Sequence, residues 1–352
     1  MTKKLYYEDS HQDNCHATVL SCTWNEKKQC YEVVLNQTVF FPEGGGQYAD
    51  TGTLGGVNVL DVQEKDDIII HYTDAELPPG TEVDGTINYK ERFSKMQQHT
   101  GEHIVSGIVH RTFGYDNVGF HLGQELVTMD FNGTFTPEQL QQVEYEANEA
   151  VVRNLPIVVT YPSKEELDQL DYRSKKELTG QVRIVEIPGY DVCACCAPHV
   201  KLTGEVGIIR LIDAVKYKGG TRLTMVCGFR ALKDYRMKED NVREISRLLS
   251  AKPEESAQAV HRLDGGVRQL VPQPFHRHRQ GVGVHKLAPV PHPVQELLPG
   301  QGLPPVLHQQ AQQPLLRLGQ LHLRPVPHKA QALKVEGEGP QLQRGRRGAP
   351  PP

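Results

Sequence analysis

The sequence predicts an α+β protein with a small antiparallel β-barrel-like domain, then a mixed domain of two long helices on an antiparallel sheet, then a disordered tail. Residues 17–90 alternate short Val, Ile, Thr and Tyr runs with Gly and Pro turns, which is typical of short antiparallel strands. Two helical patterns follow near residues 90–113 and 136–154, among further strand-like runs. Beyond residue 263 the composition changes abruptly.

The first domain, residues 1–89, takes its predicted strands from four runs. They are "YEVVLNQTVFF", "TGTLGGVNVLDV", "DDIIIHYT" and "TEVDGTINY". Each run is rich in β-branched or aromatic residues and ends at a turn residue. Together they predict a barrel-like arrangement of short strands.

The second domain, residues 90–231, begins with a helix from Lys90 to Phe113 that Gly114 ends as a left-handed cap. A second helix starts at Thr136, which forms a capping box with Gln139. The predicted strands are "LVTMDF", "IVVTY", "VRIVEI", "EVGIIRLIDAV" and "TRLTMVCG". Residues 232–263 are the start of a further charged helix.

The tail, residues 264–352, differs in amino-acid composition from the rest of the chain. From residue 265 on it lacks Ile, Ser, Thr, Asn, Tyr, Cys, Met, Trp and Asp, yet holds 15 of the 24 prolines. Proline breaks helices and central strands, so we expect disorder. A Pro-rich linker, a small new domain and a frameshift product are the alternatives, and the loss of so many residue types at one point favours the frameshift.

Charge and cysteine usage limit the class of protein. Residues 264–352 hold 11 Lys and Arg against 4 Asp and Glu, whereas the whole chain has a net charge of -4. The first 263 residues are therefore acidic, which argues against non-specific coating of nucleic acid but allows a local basic site. Without an apolar leader or membrane span, the seven cysteines indicate reduced thiols or metal ligands in a cytoplasmic protein.

The stretch "QQHTGEH" places His99 and His103 four residues apart on the first predicted helix. This spacing puts both imidazoles on one helix face, where they can bind one metal ion. Such pairs also arise by chance, so the spacing alone is weak evidence. In a metalloprotease of the H-x-x-E-H type, Glu102 would be the general base.

The stretch "CACCAPHV" provides a second pair, Cys195 and His199, in a loop between two predicted strands. Thiolate and imidazole both suit Zn²⁺, so the four residues are a plausible set of ligands for one ion per chain. A structural zinc knot or a redox C-x-x-C pair of Cys193 and Cys196 remains open. Whether His199 is a ligand or orients one also stays open.

Several motifs in this order resemble the editing domain of alanyl-tRNA synthetase and its free-standing AlaX-type relatives. They are the His-x-x-x-His and Cys-x-x-x-His pairs, "FFPEGGGQYADTGTL", "CCAPHVKLTGEVGIIRL" and "GGTRLTMVCGFRAL". The resemblance covers about residues 5–260. Longer AlaX proteins continue into a coiled coil and a further domain, a pattern that this chain loses after its last predicted helix.

The resemblance implies zinc-dependent hydrolysis of seryl or glycyl esters of the tRNA for alanine, with His99, His103, Cys195 and His199 as the metal site. No strong nucleophile is needed, because an aminoacyl ester is already reactive and a zinc ion can orient it or activate a water. In this interpretation Glu102 lies beside the ligands without taking the proton of the water.

Other site residues follow from the same resemblance. Thr100 could offer its hydroxyl to a seryl side chain, and Gln47 could be a polar contact in the pocket. The turn Gly44, Gly45 and Gly46 would lie against the substrate; it is not a phosphate-binding loop, since no Gly-Lys-Ser/Thr follows. The candidate phosphate contacts to tRNA are Lys90, Arg92, Lys95, Lys216, Lys218 and Arg222.

Two other functions compete with the deacylase. A metalloprotease needs a glutamate as third ligand and leaves "CCAPHV" without a role. A non-catalytic, zinc-stabilised tRNA-binding module would hold the same four residues in a closed site and show no turnover.

Overall fold

A computed structural model describes residues 2–174 and 180–270 of the chain. The described residues belong to one compact unit, Met1–Pro272. Of the predicted tail, residues 264–270 continue a helix, and the rest lies outside the described residues.

The N-terminal part is built mainly from strands. Their bounds are β1 Lys3–Lys4, β2 Asn14–Asn25, β3 Cys30–Leu35, β4 Gln37–Thr38, β5 Gly52–Leu54, β6 Val57–Lys65, β7 Ile68–Thr73 and β8 Glu82–Ile87. Six of them close a barrel in the order β2-β3-β7-β6-β5-β8. Alternate residues point inward, and Val33, Leu35 and Ile69 are fully buried there, as the period of a strand requires.

The side chain of His71, on β7, lies inside this barrel and is fully buried. Its Nδ1 donates to the Val33 carbonyl at 3.1 Å, and its Nε2 lies 2.8 Å from the Thr38 hydroxyl. Burial lowers the pKa of His71 to about 4, because a charged ring is costly in an apolar interior. The ring is therefore neutral at pH 7.

The second part combines helices with two sheets. Its elements are α1 Tyr89–Phe113, β9 Asn117–Leu122, β10 Val127–Phe131, α2 Pro137–Arg153, β11 Val158–Thr160, α3 Lys164–Leu167, β12 Ile184–Ile187, β13 Asp191–Ala194, β14 Ile209–Tyr217, β15 Gly220–Cys227, α4 Gly228–Leu249 and α5 Ser256–Leu270. The larger sheet has the order β14-β15-β10-β9, and the smaller one β11-β12-β13. The mixed α+β class is confirmed.

The helix ends follow the sequence signals. Gly114 adopts a left-handed conformation after α1, and Thr136 and Gln139 form the capping box of α2. The strands β1, β2, β9 and β13 were not among the predicted runs. The predicted charged helix after residue 231 is present as α4, but it does not continue to residue 263: α4 ends at Leu249 before the left-handed Ser250, and Pro253 separates it from α5.

Helix α1 is the central element of this part and is buried on nearly all sides. It contacts α2, β9, β13, β15 and α4. Its N-terminal half is held to the barrel side by Arg92, whose Nε donates to the Asp50 carboxylate at 2.8 Å. Lys95 adds a bond of 2.6 Å from its Nζ to the Ala49 carbonyl. These contacts fix the segment that follows β4 against the N-terminal half of α1.

Among residues 2–174 and 180–270, no helix has the length and apolar character needed to cross a membrane.

Candidate metal centre

Four side chains meet at one point of the second part. His99 and His103 come from one face of α1, and Cys195 and His199 from the loop after β13. Their ligand atoms all lie within 4.8 Å of one another. The Cys195 Sγ is 3.6 Å from His99 Nε2 and 3.4 Å from His199 Nε2.

The electrostatics of this four-ligand group fit a metal ion. Burial alone would raise the pKa of the Cys195 thiol, but the imidazoles of His99 and His199 lower it well below its usual value. Burial lowers the pKa of His199 to about 3, which keeps its ring neutral. Zn²⁺ binds thiolate sulfur and imidazole nitrogen, and a ring that is protonated in the metal-free protein releases its proton when the ion binds. The residues present therefore fit one such ion.

Each of the three histidines has its other ring nitrogen on a fixed partner. His99 Nδ1 lies 3.1 Å from Gln47 Oε1, and His199 Nδ1 lies 3.0 Å from Thr100 Oγ1. His103 Nδ1 lies 2.9 Å from Asp191 Oδ2. Such outer bonds fix which nitrogen carries the proton and leave Nε2 for a metal.

The Asp191 carboxylate itself accepts two hydrogen bonds from an arginine. Arg173 donates from Nε at 2.7 Å and from Nη2 at 2.8 Å. Burial alone would lower the pKa of His103, but its hydrogen bond to Asp191 raises that pKa to about 9. A more basic imidazole is a stronger electron donor to a metal. The sequence analysis missed both Asp191 and Arg173, although the carboxylate lies only four residues before Cys195.

The two polar residues predicted beside the substrate both face the metal ligands. Thr100 is fully buried, and its hydroxyl also accepts a bond of 3.3 Å from the Val200 amide. Gln47 is 1% exposed, and its Nε2 has no hydrogen-bond partner among the described residues. The geometry makes both residues orienting groups for histidines.

The glycine turn borders the same centre. A Cβ atom on Gly45 would lie 3.1 Å from Cys196 Sγ and 3.9 Å from the His99 ring, and one on Gly46 would lie 2.6 Å from the Phe120 ring. Both glycines have positive φ, a conformation that side chains disfavour. The backbone of this turn can therefore approach the ligands closely, and Gly44 lies 3.7 Å from Cys196 Sγ by the same measure.

The carboxylate of Glu102 lies next to the group without belonging to it. Its Oε1 accepts bonds from Ser106 Oγ at 2.7 Å and Asn117 Nδ2 at 2.6 Å. Its Oε2 is 3.9 Å from His103 Nε2. The side chain is fully buried, between α1 and β9.

The remaining cysteines do not form a C-x-x-C disulfide. All seven cysteines of the chain are free. Cys193 is buried on β13, close to His103 and Asp191, while Cys196 is exposed. Cys196 is not among the four residues whose ligand atoms meet, so Cys195 is the thiol of the candidate metal group.

The candidate tRNA contacts divide into two groups. Arg92 and Lys95 are fully buried and pair with Asp50, so they are not available to a phosphate and that prediction is wrong. Arg222 is partly exposed and pairs with Asp130 at 2.6 Å. Lys90, Lys216 and Lys218 are exposed.

The fold and the centre together define a protein with a buried His/Cys group, between a helix and a loop, that could hold a metal ion. Residues 2–91 match the family model "tRNA synthetases class II (A)", and residues 182–244 match "Threonyl and Alanyl tRNA synthetase second additional domain". Three relatives are similar to this chain in sequence. They are the alanyl-tRNA editing protein Aarsd1-A of Xenopus laevis, the alanyl-tRNA editing protein AlaX-L of Pyrococcus horikoshii and the alanine–tRNA ligase of Ignicoccus hospitalis.

Each of these three relatives is 32% identical to this chain, over 265, 242 and 283 residues respectively. The matches cover 73%, 66% and 76% of this chain and 64%, 59% and 30% of the relatives. The chain thus spans less than two thirds of the length of each of these three relatives. It is an AlaX-type relative of the alanyl-tRNA editing proteins, which confirms the resemblance of its motifs.

Proposed function

We propose that the chain hydrolyses the ester bond of mischarged tRNA for alanine, with the seryl or glycyl ester as substrate. The four-ligand group supports this proposal most directly, because three of its members are histidines oriented by outer hydrogen bonds. The likeness to alanyl-tRNA editing proteins supplies the substrate class. The reduced cysteines agree with a cytoplasmic setting.

In this proposal His99, His103, Cys195 and His199 hold one zinc ion. When bound, zinc supplies a Lewis acid that can polarise the ester carbonyl or activate a water. Gln47, Thr100 and Asp191 hold the three imidazoles in place, and the Gly44–Gly46 turn forms a wall without side chains against which the aminoacyl group can lie.

Exposed cations near the ends of α1 and the β14–β15 turn would contact tRNA phosphates. We retain Lys90, Lys216, Lys218 and Arg222 in this role. Such contacts give affinity that falls with salt. They carry no information on which nucleotides are read.

The metal assignment is tested by composition. We expect about one zinc per purified chain, and Cys195→Ala should lower that occupancy sharply because it removes the only thiolate of the group. Cys22→Ala, on strand β2 of the barrel, is the matched control and should keep full zinc. Full zinc in the Cys195→Ala protein would remove the proposed site.

The activity is tested with seryl-tRNA for alanine beside correctly charged alanyl-tRNA, with and without a zinc chelator. We expect chelator-sensitive release of serine and much slower release of alanine. An unstructured peptide is the third substrate, and its zinc-dependent cleavage would favour the protease instead. Tight tRNA binding without any turnover would favour the non-catalytic module.

A further inference from the structure

A cavity of about 540 Å³ is lined by residues from the C-terminal end of α1, the start of β9 and the segment 171–174. The lining side chains include Asp116, Asn117, Val118, Asp171, Tyr172 and Arg173. Pockets for small molecules and cofactors usually measure about 300–1,000 Å³. The cavity therefore has room for a whole small molecule, and neither the metal group nor the proposed phosphate contacts use it.

The cavity adjoins the His103 side of the four-ligand group. On one side, Asn117 Nδ2 donates to Glu102 Oε1 at 2.6 Å, and Glu102 Oε2 lies 3.9 Å from His103 Nε2. On the other side, Arg173 Nε donates to Asp191 at 2.7 Å, and the same carboxylate lies 2.9 Å from His103 Nδ1. Two lining residues are thus each separated from His103 by a single side chain.

The size of the cavity indicates which part of an aminoacyl-tRNA it fits. A seryl side chain has two non-hydrogen atoms and needs about the space of two waters, or about 60 Å³ at about 30 Å³ each. A cavity of about 540 Å³ is much larger than this. The ester joins the amino acid directly to the ribose of the terminal adenosine. When the ester lies at the four-ligand group, that nucleoside therefore lies within a few bonds of it.

The lining favours a nucleoside over a phosphate. In the described part of the chain, Arg173 is the only arginine or lysine that lines the cavity, and it donates two hydrogen bonds to Asp191. Arginine and lysine are the usual contacts of a phosphate. Tyr172 instead provides an aromatic ring on which a base can stack, and Asp116 and Asp171 provide acceptors for hydroxyl and amino groups. Adenosine offers a planar base, an exocyclic amine and ribose hydroxyls.

We propose that this cavity binds the 3′-terminal adenosine of the tRNA, with its base stacked on Tyr172. The inference rests on the proposed deacylase function and adds a binding site for the nucleoside that carries the ester. It assigns to Tyr172 a role in binding the substrate and none in breaking the ester bond.

The test measures binding without turnover. The ligand is uncharged tRNA for alanine whose terminal adenine is replaced by the fluorescent base 2-aminopurine, since the emission of this base responds to stacking. We expect a saturable change of emission with the wild type. Tyr172→Ala should weaken this binding by about tenfold, because stacking on an aromatic ring contributes affinity of this order. Tyr172→Phe, which keeps the ring, should bind within about threefold of the wild type.

A matched control and a kinetic measurement accompany this test. Tyr145→Ala changes a tyrosine of α2 that is 70% exposed and does not line the cavity, and it should bind like the wild type. On seryl-tRNA, Tyr172→Ala should raise KM by about tenfold and leave kcat and zinc content within about threefold. A loss of zinc in this variant would instead indicate damage to the fold and would contradict the assigned role.

Three further results would overturn the proposal. They are the absence of any emission change with the wild type, equal binding by wild type and Tyr172→Ala, and an equal loss in Tyr172→Ala and Tyr172→Phe. If Tyr172→Ala does not fold, the wild type decides with a second ligand, a tRNA that lacks its terminal adenosine. We expect this tRNA to bind about tenfold more weakly than the complete one, and equal affinity would contradict the proposal.

Failure of the deacylase function gives a different result. A wild type that binds the 2-aminopurine tRNA in the expected way but releases no serine from seryl-tRNA keeps the adenosine site and loses the proposed reaction. A wild type that releases serine but shows no dependence on Tyr172 or on the terminal adenosine keeps the reaction and loses the site.

Discussion

Each histidine of the four-ligand group uses one ring nitrogen for the group and the other for a partner from elsewhere in the chain. The partners differ in charge. Gln47 and Thr100 are neutral, while Asp191 is an anion fixed by Arg173. A carboxylate partner raises the basicity of the ring that it holds. We therefore expect His103 to depend most on its outer bond.

The change Asp191→Asn tests this dependence. It keeps the size of the side chain and an oxygen acceptor but removes the negative charge. Loss of such a partner typically weakens metal binding about 10- to 100-fold, so we expect zinc affinity to fall by that factor. Competition with a chelator measures it.

The exposed Asp213→Asn on β14 serves as the control for this prediction and should leave zinc affinity unchanged. An Asp191→Asn protein that binds zinc as tightly as wild type would show that the carboxylate–histidine contact contributes nothing to the site.

At this scale the spacing of the motifs indicated which four residues come together, but not which residues hold their rings in place. His99 with His103, and Cys195 with His199, are local pairs that a spacing reveals. Asp191 reaches His103 from 88 residues away, and Thr100 reaches His199 from 99 residues away. Bonds between distant segments depend on the tertiary fold, which spacing does not encode.

Among the elements, helix α1 differs most from what its sequence suggested. Its residues include Arg92 and Lys95, which look like surface cations, yet both are fully buried. The residues near Asp50 cover this half of the helix, and the carboxylate of Asp50 compensates both charges. The helix has no clear polar face because protein surrounds it on nearly every side.

We expect Arg92→Met to destabilise the protein by about 3–5 kcal/mol, because it leaves the Asp50 carboxylate buried with a weaker partner. Urea unfolding measures this free energy. The neighbouring exposed change Lys90→Met should alter stability by no more than about 0.5 kcal/mol. Equal stability of both variants would mean that the ion pair does not fix this contact.

The barrel element contains a titratable group whose effect on stability has a defined sign. The pKa of His71 falls from 6.5 to about 4 on folding, so the unfolded chain binds the proton more tightly. The stabilisation by the neutral ring is complete above pH 6.5 and is lost as pH falls towards 4. The difference between these two pKa values corresponds to about 3 kcal/mol of folding free energy.

Unfolding free energies between pH 4 and pH 7 test this prediction. The wild type should lose stability more steeply with falling pH than His71→Gln, which has no ring to protonate. Parallel pH profiles for the two proteins would contradict the assignment to His71.

For the whole molecule, the described residues already contain the complete candidate centre. Every residue that we assign to it lies between Gly44 and Arg222. The helices α4 and α5 follow, and composition alone led us to expect disorder beyond them. The sequence could not predict how far the last helix extends, because the change in composition at residue 264 falls inside α5.

A chain shortened after residue 270 tests the importance of the tail. We expect it to keep zinc content and to keep kcat/KM for seryl-tRNA within about threefold, since it retains all the side chains of the centre. A second truncation after Leu249, which removes α5, is the comparison. A large loss with the first truncation would assign a catalytic or tRNA-binding role to the tail.

The long separation between the ligands also sets the order of events during synthesis. Cys195 contacts His99 across 96 residues of chain, and a ribosome adds about 5–20 residues per second. The first two histidines therefore emerge about 5–20 s before the thiolate and third imidazole that complete the group. A nascent chain can carry only a weak, two-nitrogen site during this interval. On the proposed function, metal loading is therefore a late step, because the four-ligand group is complete only when the loop after β13 lies against α1.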